Sequence, residues 1–231
     1  MVKRYINIIF LLGLTLVLNA QTECEKGIQE DYAFYRHEMK QKVINYKKAL
    51  NLWRKVFQFC PDFSQYIYTD GPKLYYNRIQ QDEENKFFYL DTIMMIYDLR
   101  VQYFGNREKV LGKKGSDLLK YNPSEYAKAY EMLKISVEAQ GNATLPDIIV
   151  PYFKSLVMYS EFYENQEEAK RDILDAYVIL TDIIDYNINL AKSENHVRGY
   201  QQALKKIEDS FEPYASCNEL INVFQSRLQT D

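Results

Sequence analysis

Along residues 46–57 the apolar side chains Tyr46, Ala49, Leu50, Trp53, Val56 and Phe57 are separated by steps of one and three. With each residue turning about 100°, they fall within an arc of about 120°, which predicts a helix that is apolar on one face. Pro61 stops it. The same spacing, Tyr-x-x-Ala followed by an apolar and then a small residue, returns at Tyr126, Ala129, Leu133 and Ser136, closed by Gly141. It returns again at Tyr200, Ala203, Ile207 and Ser210. A one-faced helix that recurs along a chain reads as the second helix of a hairpin repeat, each hairpin covering its neighbour. The expected fold is all-α, with antiparallel helical hairpins stacked as an α-solenoid.

Period and punctuation predict the remaining helices. Ile28 to Val43 forms the partner of the first copy, with Tyr32, Phe34, Tyr35 and Met39 as its apolar contacts. The Asp70-Gly71-Pro72 turn opens a short helix over 72–81, and a long helix runs from Asn85 to Phe104, closed by Gly105-Asn106. A helix over 108–120 carries Gly112 and Gly115, each costing about 1 kcal/mol against alanine, which is tolerable where two helix backbones come close. Asn122-Pro123-Ser124-Glu125 has N-cap chemistry for a helix reaching Gln140. Another runs from Thr144 to Tyr163, kinked or delayed by Pro151. From Glu167 to Lys192 apolar residues cover most of the helix circumference, leaving Asp175, Asp182, Asp185 and Asn189 as a polar strip, as a middle layer of a stack requires. Ser216-x-x-Glu219 caps a last helix. With no Gly/Ser-rich or Pro-rich linker, residues 21–231 read as one domain.

Lys3 and Arg4 precede an apolar run from Ile8 to Leu18, which ends in Leu18-Asn19-Ala20-Gln21. This is the pattern of a signal peptide over residues 1–20, cut between Ala20 and Gln21. The run is shorter than the roughly 20 residues that span a bilayer, and no other segment is long and apolar enough, so no transmembrane segment is expected in the mature chain. Gln21, Thr22 and Glu23 separate Cys24 from the small residues, which argues against a lipid anchor. Loss of Lys3 and Arg4 turns 29 basic residues into 27 against 32 acidic ones, a net charge of −5. Such a balance argues against a nucleic-acid partner, which needs a basic face.

Three cysteines in an exported chain invite pairing. Cys24 precedes the first helix and Cys60 follows the second, so an antiparallel hairpin makes them neighbours. A disulfide there closes a loop that contributes about 3–4 kcal/mol on the chain-entropy model. Cys217 is left over, as a buried thiol or the partner of a cysteine elsewhere.

Ala49, Trp53, Val56 and Pro61 resemble the second helix of the tetratricopeptide repeat (TPR). The first helices match it loosely, as at Phe34 or Leu111-Gly112, and copies lie 80 and 74 residues apart, which implies an inserted helix. The run from Phe59-Cys60-Pro61 through Ile67-Tyr68-Asp70-Gly71, Asp91-Thr92, Tyr103-Phe104-Gly105 and Val110-Leu111-Gly112-Lys113-Lys114-Gly115 is similar to a family of exported TPR proteins of Bacteroidetes-type bacteria. The resemblance covers most of the mature chain. Members of that family are generally longer, which implies that this chain is an N-terminal portion or a short relative, and no catalytic residues are assigned to them.

Only two histidines are present. His37-Glu38 lacks the second histidine one turn on that a zinc site needs, and His196 sits at a helix start beside Ser193 and Glu194. No metal and no cofactor is expected. Asp175, Asp182 and Asp185 read as a solvated face. The resemblance to peptide-binding relatives of the repeat implies Arg107, Lys113 and Lys114 as candidates for gripping a carboxylate on an inner surface. Tyr46, Tyr126 and Tyr200 recur in register and are assigned to packing. Asn142-Ala143-Thr144 matches a glycosylation sequon and Asp91-Thr92-Ile93 an O-glycosylation signal; the second falls inside a helix. With no nucleophile-base pair, metal cluster or phosphate loop, the chain is not expected to be an enzyme. The leading expectation is an exported, non-catalytic scaffold that binds a protein or peptide in the periplasm or at the cell surface. The alternative is a glycan-binding component of an outer-membrane uptake system, which the single tryptophan disfavours.

Overall fold

The computed structural model describes residues 24–191 and 193–214. The signal cleavage residues Ala20 and Gln21, Cys217 and the helix expected after Ser216 lie outside them. Among the described residues there are nine α-helices and no strand, and no helix is long and apolar enough to cross a membrane. The chain divides into two compact units between Phe63 and Ser64.

The first unit is a helical hairpin, α1 (Lys26–Glu38) and α2 (Tyr46–Phe59). Its antiparallel sense follows from its cross-links: Cys24 is bonded to Cys60, Asp31 pairs with Lys55 and Glu38 with Lys48, so each step forward in α1 meets a step back in α2. The disulfide forms as the spacing predicts, with Cα atoms 5.6 Å apart. Ala49, Trp53 and Val56 of the first repeat copy are buried, with Tyr35 opposite them in sequence order on α1.

Two details of α1 depart from expectation. It stops at Glu38 instead of Val43, because the chain must reverse before Asn45, whose side chain caps α2 by accepting from the Lys48 amide at 3.0 Å. Phe34 is 58% exposed while Tyr35, about 100° further round the helix, is fully buried.

The second unit comprises α3 (Tyr66–Gln81), α4 (Lys86–Phe104), α5 (Arg107–Tyr121), α6 (Tyr126–Gln140), α7 (Pro146–Ser160), α8 (Gln166–Leu190) and α9 (Glu194–Phe211). Each packs against the next, and alternate helices also touch: α5 with α7, and α7 with α9. The expected turn at Asp70-Gly71-Pro72 is instead the interior of α3. A proline there costs about 3 kcal/mol, but Ile67, Tyr68, Leu74, Tyr75 and Ile79 are all buried on that helix. At about 1.5–3 kcal/mol for a fully buried large side chain, their burial outweighs the lost hydrogen bond.

Pro151 likewise lies inside α7, which begins at Pro146 and ends at Ser160. Helix ends carry the expected punctuation. Gly105 (φ 66°) and Gly141 (φ 49°) close α4 and α6 in the left-handed half of conformational space, where a Cβ is disfavoured. Asn165 caps α8 and Ser193 caps α9. Asn122 makes no side-chain cap; its carboxamide oxygen accepts from the Ser124 hydroxyl instead.

The core of this unit joins Ile149, Phe153 and Leu156 of α7 in one buried cluster with residues of the later repeat copies, Ala129 and Leu133 of α6 and Ala203 and Ile207 of α9. Tyr200 is buried, whereas Tyr46 and Tyr126 are half-buried, Tyr126 stacking on Phe162 with centroids 5.6 Å apart. The third copy falls on α9, an odd-numbered helix, while the first two fall on α2 and α6; its parity is shifted by one helix. On α8, Ile173, Ala176, Leu180, Ile183 and Ile184 are buried as expected, but Ile179 is 54% exposed beside Asp175 and Asp182. Its position borders the polar strip, which narrows the buried arc.

Candidate groove site

The most developed concavity of the second unit is a groove of about 940 Å³ lined from α3, α4, α5, α7 and α9. Neither α6 nor α8 contributes a wall residue. The periodicity within each helix explains the arrangement. On α5, Lys113, Asp117 and Lys120 stand three and four apart; on α7, Asp147, Val150 and Lys154 do the same; on α9, Gln202 and Lys206 are one turn apart. Such residues share a helix face. Opposite that face, the apolar positions hold the helices together.

At the base of the groove Asp117 accepts hydrogen bonds from the hydroxyls of Tyr76 on α3 and Tyr97 on α4, the latter at 2.6 Å, and the two hydroxyls are 3.3 Å apart. Burial pushes the Asp117 carboxyl above its usual range, against the pull of both phenols and of Lys120 and Lys113. Burial, followed by the charge of Asp117, raises Tyr76 and Tyr97 well above the ordinary tyrosine value. Both phenols therefore keep their protons at neutral pH and act as fixed donors. The trio ties three helices at one point.

Around this base the walls are cationic: Lys73, Arg100, Lys113, Lys120, Lys154 and Lys206 against Asp117 and Asp147. Desolvation lowers the pKa values of Arg100 and Lys113. Lys120 lies over the rings of Tyr121 at 4.8 Å and Tyr76 at 5.8 Å, and those rings stack on each other. Pro72, Pro146, Val150 and Pro151 supply apolar surface between the charges.

Of the three basic residues singled out from sequence, the structure brings one to the groove. Lys113 lines it and pairs with Asp147 of α7. Lys114, the next residue round the helix, pairs with Asp98 of α4, and Arg107 is exposed at the start of α5. Neighbouring residues on a helix point about 100° apart, so a basic dipeptide cannot act as one grip. Sequence reasoning missed Lys73, Arg100, Lys120, Lys154, Lys206 and the Tyr76–Tyr97–Asp117 trio. Their only signal was spacing, which is shared by any solvated helix face.

The other flagged residues sit elsewhere. His37 is exposed with the Gln41 side chain 2.9 Å from Nε2, and the Ser193 hydroxyl accepts from the His196 amide. Thr92 donates to the Phe88 carbonyl within α4 while Ile93 is fully buried. Thr144 of the Asn142 sequon is buried too. Among the described residues no three histidine, cysteine or acidic side chains gather as a metal site.

Comparison of the chain with protein-family models, curated proteins and solved structures returned no match. The likeness to TPR helices rests on the residues quoted above.

Proposed function

We propose that the chain is an exported, non-catalytic scaffold of the TPR type that holds a protein or peptide in the groove of its second unit, in the periplasm or at the cell surface. One observation supports the reading: α3, α5, α7 and α9, joined by Tyr97 and Arg100 of α4, line one hollow to which α6 and α8 contribute no wall residue. Stacked hairpins produce such a one-sided surface, and its usual work is recognition of another chain. The glycan reading has less support, since Trp53, the single tryptophan, is 1% exposed and stacked on Phe57 at 4.6 Å instead of offering a sugar platform.

A photo-crosslinking residue placed at Gln202 in the groove, and separately at Asp175 on α8, tests this in the native cell envelope. A protein adduct at Gln202 that is absent at Asp175 is the expected result. Equal adducts at both positions, or recovery of oligosaccharide alone, would refute it.

A further inference from the structure

We infer that the turn between α1 and α2 docks on an anionic phospholipid bilayer, Val43 entering the interface while the lysines around it meet the headgroups. The site lies in the first unit and is independent of the groove. Residues 36–48 hold five basic side chains, Arg36, Lys40, Lys42, Lys47 and Lys48, against one acid, Glu38. That is a charge of +4 within a chain whose net charge is −3, so the rest of the sequence sums to −7. Lys48 is paired with Glu38, the one acid of the group. Lys40, Lys42 and Lys47 are exposed and have no ion pair with a carboxylate among the described residues.

The hairpin is polarised along its length. At the disulfide end Glu25, Glu30, Asp31 and Asp62 outnumber Lys26, Arg54 and Lys55, and Asp31 is paired with Lys55. The charges of residues 36–48 gather at the other end, where the last turn of α1 meets the first turn of α2. Both sides of the turn are pinned. The Lys40 and Gln41 amides donate to the His37 and Glu38 carbonyls, each at 3.1 Å, and the Asn45 side chain caps α2. Lys42, Val43 and Ile44 lie between these anchors, and Val43 is 83% exposed, more than any other large apolar side chain of the described residues.

The apolar tip distinguishes a bilayer from a soluble polyanion. A nucleic acid or acidic glycan neutralises the lysines but leaves Val43 in water, whereas the headgroup region takes up the charge and the apolar side chain together. Lysine stems are themselves apolar, so Lys40 and Lys42 can lie along the interface with their ammonium groups at the level of the phosphates. Each lysine close to an anionic leaflet raises partitioning about fivefold, so Lys40, Lys42 and Lys47 together supply about a hundredfold. One valine adds a smaller factor, through the apolar area it withdraws from water.

The test is co-sedimentation of the disulfide-bonded mature chain with vesicles of phosphatidylcholine, alone or mixed with phosphatidylglycerol. Binding to the mixed vesicles only, weakening as salt rises, is the expected result. Lys40→Glu with Lys42→Glu should lower partitioning by about tenfold or more. Val43→Asn, which leaves the charge unchanged, should lower it by about threefold. Lys26→Glu with Lys205→Glu changes the net charge as much as the first pair but lies away from the turn, and should have a much smaller effect. All these side chains are exposed, and thermal unfolding of each variant confirms that the fold is kept. Failure to bind the mixed vesicles, or equal binding to both kinds, overturns the proposal. An equal loss from the two charge-reversed pairs, or no loss from Val43→Asn, overturns it as well. So does an oligonucleotide that displaces the vesicles and binds the Val43→Asn chain as tightly as the unaltered one. None of these outcomes touches the groove, so the scaffold reading is judged separately by its own crosslinks.

Discussion

The Ser116 hydroxyl of α5 lies 3.0 Å from the carbonyl oxygen of Asp147 in α7. That carbonyl is the one that Pro151, four residues on and without an N–H, leaves lacking its helical donor. The same hydroxyl is 2.8 Å from the Gly112 carbonyl of its own helix. A proline that interrupts one helix is thus accommodated by a hydroxyl from another. Ser116→Ala should lower stability by about 1 kcal/mol in denaturant unfolding. In a Pro151→Ala background, where the α7 amide returns, the same change should cost less.

The α5–α6 contact is close enough to exclude side chains. A methyl at Gly115 would meet Leu133 Cγ at 2.8 Å and the Ala129 carbonyl at 3.0 Å, while one at Gly112 would collide with Ser136 Oγ. Alanine gains about 1 kcal/mol in helix propensity, but backbone displacement costs about 1–3 kcal/mol. Gly115→Ala should therefore be clearly destabilising in urea unfolding. Gly112→Ala should be partly relieved by Ser136→Ala, since the colliding atom is then removed.

Reduction of Cys24–Cys60 releases a 36-residue separation in the unfolded chain. Cys60→Ala should lower stability by about 3 kcal/mol, read from thermal unfolding with the reduced protein as control. Peptide mapping without reductant should recover the two cysteines joined.

Several tyrosines titrate late. Burial pushes Tyr130 up to about 12 and raises Tyr76, Tyr97 and Tyr152 further. Their folded pKa values exceed the unfolded value of about 10, so the unfolded chain loses these protons first. Stability from these groups is intact below about pH 10 and falls as pH rises above it. Tyrosinate absorbance should accordingly appear in two stages, the second coinciding with loss of helical signal.

Asp117 obeys the same sign in the acidic range. Its folded pKa is raised, so its stabilising contribution is complete below about pH 3.9 and is lost as pH rises through the folded value. Asp117→Asn should flatten that part of the stability profile. Tyr97→Phe removes one donor to the carboxylate and should cost about 1.5–3 kcal/mol at neutral pH.

Most helices were legible because a 3.6-residue period is local: Tyr46 to Phe57 and Ile173 to Ile184 announce their faces without reference to anything else. Turn chemistry was less reliable. Asp70-Gly71-Pro72 reads as a turn by composition, and burial of Ile67, Tyr68 and Leu74 overrides it. The end of α1 also escaped, because it depends on where α2 must begin to bring Glu38 to Lys48.

The sequence by itself determined the all-helical class, the Cys24–Cys60 pairing and the close approach at Gly112 and Gly115, since each follows from spacing and from small side chains within one or two adjacent helices. Only the tertiary structure decided the groove. Lys113, Lys154 and Lys206 each occupy the polar side of a helix, where water satisfies a lone charge as well as a ligand does. Stacking alternate helices turns those sides toward one space, and only there does charge from distant parts of the chain add up.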